Sequence, residues 1–164
     1  MKRILLFLFI SILMTSLFMS CLKITAKNKN PGNMYGEALH GFMLFEPMMN
    51  SNMKYIAVDF NSINNIKDTD KKLITSFLNN KHKVEVTYKS LEELERAGLY
   101  DKEKNYLDGV LLSITETKKL SDNNYEIYGT KFRSGSKIPN IKCTIEYVNG
   151  KWSTSCKEID PSKS

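Results

Sequence analysis

The stretch Cys143–Cys156, CTIEYVNGKWSTSC, sets two cysteines at equal distances from Asn149-Gly150. Asn-Gly between runs of alternating apolar residues is the strongest short-range hairpin signal, because both central positions of a type I′ turn need positive φ. Taking Val148 opposite Lys151 as the flanking pair sets the register. Tyr147 then meets Trp152, Glu146 meets Ser153, Ile145 meets Thr154, Thr144 meets Ser155, and Cys143 meets Cys156. The pairs 147/152, 145/154 and 143/156 fall in non-hydrogen-bonded sites, where side chains approach most closely; a Cα separation of about 4.5 Å there is at the short end of disulfide geometry. Ile141, Ile145, Tyr147 and Trp152 share the cysteines' face, so that face is for the core, while Lys142, Glu146, Lys151 and Ser153 take the other. A disulfide between Cys143 and Cys156 is the expected outcome, structural in role. Two buried free thiols are the other reading. A redox-active pair fits less well, since the Cys-X-X-Cys spacing that lowers a thiol pKa is absent.

Upstream, GVLLSITETKKL (109–120) and NYEIYGTKFRS (124–134) keep the period of two, with turn chemistry at SDNN, SGSKIPN and NG. With the two hairpin arms they make four successive strands. Before them, SLEELERAG (90–98) reads as a helix with a Ser90/Glu93 capping box and a stop at Gly98, and KVEVTY (83–88) as a strand. DTDKKLITSFLNN (68–80) puts Leu73, Ile74, Phe77 and Leu78 on one helical face, with Asp68 and Asp70 at its start and Lys81 and His82 past its end, as the helix dipole prefers. KYIAVDF (54–60) suggests a short strand. Helices followed by a meander mean an α+β domain over 54–160: two or so helices packed on a curved, antiparallel four-stranded meander, with 161–164 as a tail.

MKRILLFLFISILMTSLFMSC opens with Lys2 and Arg3 and runs without charge from Ile4 to Leu22, the layout of a secretory signal. Ser20-Cys21 resembles the end of a bacterial lipobox, although Phe18 stands where Leu is usual. The resemblance implies a signal peptide over 1–20 and diacylglycerol on Cys21, hence a membrane-lipid anchor on the extracytoplasmic side. Two acyl chains hold a protein stably where one is marginal. An uncleaved anchor is also compatible, since about 20 apolar residues span a bilayer, and so is full secretion. Residues 21–53 read as a polar tether followed by a Met-rich segment.

Helix-rich first half, four-stranded meander and terminal EYVNGKW hairpin together resemble the cystatin-like architecture of the nuclear transport factor superfamily. The pattern LDGVLL…YEIYGTKFRSG…EYVNGKW is similar to small lipoproteins of Firmicutes. The resemblance covers roughly residues 54–158 and implies a fold, with no activity attached.

The chain of 164 residues has 41% hydrophobic and 26% charged residues and a formal charge of +6. That excess is nearly all Lys; Arg occurs only at Arg3, Arg96 and Arg133, and no basic cluster is interleaved with aromatics, so a nucleic-acid partner is not expected. His40, Met43, Met48, Met49 and Met53 raise cuprous copper as a thought, since thioethers are soft ligands, but Met is as often an apolar filler. Arg133, Lys137 and turn amides in KFRSGSK suggest an anion site or an ordinary basic turn. The two imidazoles, His40 and His82, have no recognisable partner in sequence, so no catalytic residue, cofactor or metal is nominated. Two functions follow as expectations: a noncatalytic binding or accessory module for an extracytoplasmic protein partner, or a small pocket enzyme.

Overall fold

In the computed structural model, which describes residues 29–62, 66–135 and 139–160, the first element is a helix where the sequence suggests a tether. Asn30 caps it, accepting the Asn33 amide proton on Oδ1 at 2.7 Å, and Pro31 takes the first helical position, where its missing N–H costs nothing. Along α1 (Pro31–Leu44), Met34, Tyr35, Ala38, Leu39, Phe42 and Met43 recur at helical spacing and are buried. The domain therefore takes in α1, which corrects the boundary expected at 54. A 3₁₀ turn at Pro47–Asn50 follows. The signal segment 1–20, Cys21 and the tail 161–164 lie outside the described residues.

After the turn come β1 (Tyr55–Asp59), α2 (Asp68–His82), β2 (Glu85–Thr87), α3 (Leu91–Arg96), β3 (Tyr100–Asp101), β4 (Tyr106–Ser121), β5 (Asn124–Ser134), β6 (Asn140–Val148) and β7 (Lys151–Glu158). α2 buries Ile74 and Leu78 and carries Asp68 and Asp70 in its first turn and Lys81 and His82 in its last. α3 has both hydrogen bonds of the Ser90/Glu93 capping box, and Gly98 beyond it has φ of 70°.

The fold is α+β, but the sheet is not a four-stranded meander under two helices. It is a mixed, open, seven-stranded sheet in the order β2-β1-β4-β5-β6-β7, with β3 on β4. The expected antiparallel meander is its β4–β7 part; β1 pairs in parallel with both β2 and β4. The physical reason is that β1 is covered on both faces, as parallel strands usually are. Ile56 and Val58 enter the main core with α1 and α2, whereas Tyr55 and Ala57 enter a second cluster with Leu94 of α3.

The terminal hairpin has the register expected from Asn149-Gly150, pair for pair from Val148/Lys151 to Cys143/Cys156. Asn149 and Gly150 have φ of 52° and 80°. Cys143 and Cys156 have Cα atoms 4.0 Å apart and their sulfurs at disulfide distance. Ile159 N donates to Asn140 O at 2.9 Å, so odd residues of this arm bond to β6, and the even residues Trp152, Thr154 and Cys156 direct their backbone groups outward from the sheet's last strand.

Candidate functional site

α1 lies against the β6–β7 hairpin at Gly41. A Cβ there would run into Cys156 Sγ, Thr154 and Cys143 Sγ, so glycine is what lets the helix settle on the two sulfurs. Where α1 and β7 diverge they leave a cavity of about 380 Å³, lined by Glu37, His40, Leu44, Phe45, Trp152 and Thr154 among others. A second hollow of about 260 Å³ shares Glu37 and Trp152 and extends toward Gly150 and Lys151, so the two form one groove along the outer edge of β7. Leu44, 64% exposed, stands at its far end, and Met48 beyond it is 85% exposed.

Two polar atoms in the groove's wall lack hydrogen-bond partners: Trp152 Nε1 and Thr154 Oγ1. Buried polar groups are nearly always satisfied, and both atoms are themselves buried, so a group bound in the groove reaches them only if a side chain shifts.

His40 and His82 meet in space: His40 Nδ1 lies 3.2 Å from His82 Nε2. α1 supplies the first and the last turn of α2 the second. The contact needs one ring to donate and the other to accept, so at least the accepting imidazole is neutral. Burial lowers the pKa of His40, with Lys81 adding to the effect; burial also lowers that of His82, followed by His40, Lys131 and Lys81. Burial raises Glu37, with Lys81 opposing.

Behind the groove, two cations of β5 strap down the segment after α1. Lys131, fully buried, donates to the carbonyls of Met43, Phe45 and Glu46 at 3.1, 2.6 and 3.2 Å, which supplies positive charge and donors at the helix's C-terminal end. Burial pulls its ammonium down to about 8, with Glu46 opposing. Arg133 donates to the carbonyls of Met49 and Ser51 and to Tyr106 Oη.

The anion-site reading of KFRSGSK is thereby corrected for Arg133, whose guanidinium is engaged by backbone carbonyls; Lys137 lies outside the described residues. The methionines do not share one environment, Met43 being in the core and Met48 exposed. Among the described residues no group of three or more His, Cys, Asp or Glu side chains could hold a metal ion. Cys143 and Cys156 come together as expected, while Cys21 lies outside the described residues. What the sequence did not disclose is the His40–His82 contact: the two are 42 positions apart, and neither carries a local motif. Among the described residues no helix is long and apolar enough to cross a membrane. Compared with protein-family models, curated proteins and solved structures, the chain has no match in any of the three.

Proposed function

We propose that this protein is exported, held by lipid on Cys21 at the outer face of the cytoplasmic membrane, and works there as a noncatalytic module that docks an extended segment of an extracytoplasmic protein partner along the α1–β7 groove. The anchor rests on Ser20-Cys21 after an uncharged run. The docking reading rests on one observation: β7 ends the sheet among the described residues, and Trp152 and Thr154, whose backbone groups point outward from it, also line the groove. A strand added there gains main-chain hydrogen bonds from the edge and lays alternate side chains toward α1. Lys151 and Lys157 on β7's solvent face favour an acidic partner segment. The helix lying over the β4–β7 meander supports a cystatin-like relationship for that part of the fold alone.

The test is photocrosslinking in intact cells from residues 153 and 155 of β7, with residue 103 as control. A discrete adduct from β7 that is lost in Thr154→Pro, which removes an outward amide, is expected. Equal crosslinking from all three positions would overturn the docking reading; lipid label retained in Cys21→Ala would overturn the anchor. The alternative, a small pocket enzyme, draws on the His40–His82 pair beside the cavity. It predicts that His40→Gln abolishes turnover without changing the adduct.

A further inference from the structure

The carboxyl ends of the parallel strands β1 and β2 open on a second, smaller cavity of about 220 Å³ that the groove does not reach. β1 lies between β2 and β4; the helix after β1 packs on one face of the sheet and the helix after β2 on the other. That is a topological switch point, where departing chains diverge and open sheets leave a crevice for ligands.

Its walls carry charges of both signs. Asp59 ends β1, Lys71 comes from the first turns of α2, and Lys89 follows β2. All three are half-buried. None forms an ion pair within 4.0 Å with another described residue, although they line one cavity. Lys71 Nζ lies 5.6 Å from the centre of the Tyr88 ring, a cation–π contact, and no ion pair among the described residues closes the space between the three charges, which leaves room for a charged group there. Asp59 is held in place: its Oδ1 accepts the Asn61 amide proton at 2.8 Å, and Oδ2 is a further acceptor. Glu93, also on the wall, is engaged with Ser90 in the capping box. One side is aromatic, with Phe60 and Tyr88 stacked at 6.1 Å and 24° between ring planes.

A site with two ammonium groups, two carboxylates of which Glu93 is held by the capping box, an aromatic wall and this volume matches a small zwitterion with an apolar substituent. We propose that the crevice binds a free α-amino acid, its ammonium on Asp59, its carboxylate between Lys71 and Lys89, and its side chain against Phe60 and Tyr88. This site is separate from the docking groove, so either assignment stands without the other.

Titration calorimetry of the full chain in detergent, with the common L-amino acids as probes and L-leucine followed by its N-acetyl and methyl-ester derivatives, tests it. Binding of at least one free amino acid is expected, with each blocked derivative weakened at least tenfold. Asp59→Asn keeps an oxygen for the Asn61 amide and leaves the fold intact by circular dichroism; it weakens the free amino acid at least tenfold, as does Lys71→Gln/Lys89→Gln. Thr154→Pro leaves this binding unchanged. The proposal is overturned by no heat from any amino acid at millimolar concentration, or by blocked derivatives and charge variants binding as well as the free acid to the unaltered chain.

Discussion

His40 and His82 make the chain's stability sensitive to mild acid. Each imidazole has a folded pKa below its ordinary value of 6.5, so on acidification the unfolded chain takes up protons first. Stability is fully present above about pH 6.5 and is lost as pH falls toward the folded values. Glu37 works the other way: its raised carboxyl binds a proton earlier in the folded state, but only in a window beginning near 4.5 and extending upward. The expected result is a melting temperature that declines from about pH 7 to about pH 5.5, with a flatter profile in His40→Gln/His82→Gln. A variant that keeps the wild-type slope would show that the pair is not its source.

At the scale of elements, the hairpin and α1 depend on each other through Gly41 and the sulfur pair. Closing the short loop between Cys143 and Cys156 restricts the unfolded chain, an effect of about 3 kcal/mol by loop entropy. Denaturant unfolding with and without reductant measures it: the midpoint is expected to fall on reduction, and iodoacetamide to label both cysteines only afterwards. Equal midpoints together with labelling before reduction would mean two free thiols. The hairpin was legible because every determinant is local: Asn149-Gly150 needs positive φ at both turn positions, and the register then follows by counting. α3 was legible for the same reason, its capping box lying within four residues. α1 carried its own signal in Asn30-Pro31 and in the i, i+4 recurrence from Met34 to Met43. Pro31, Gly32, Gly36 and Gly41 obscured it, because residues of low helix propensity read as a linker until packing explains them.

For the whole molecule, α1 decides where the domain begins. Five large apolar side chains, Met34, Tyr35, Leu39, Phe42 and Met43, are buried by it. At about 1.5–3 kcal/mol each, their loss is comparable to the stability of roughly 5–15 kcal/mol typical of a domain. A chain starting at residue 54, the boundary that composition suggests, is therefore expected to stay unfolded, with exposed apolar surface detectable by dye binding and no cooperative thermal transition. A cooperative transition in that fragment would show that α1 is an accessory to the core. The mixed sheet belongs to this scale too. Val58 and its neighbours announce a strand, but its pairing with β4 joins residues more than fifty positions apart.

The sequence by itself determined the turn, the hairpin register that sets Cys143 opposite Cys156, α2, α3 and the four-strand meander, since each follows from the conformational preferences or periodicity of neighbouring residues. Only the tertiary structure decided that β1 and β2 extend the meander in parallel, that α1 is core, that His40 touches His82, and that Lys131 and Arg133 hold backbone carbonyls. Those contacts join segments far apart along the chain, and their partners are backbone groups or residues without a motif, so no short window of sequence carries them.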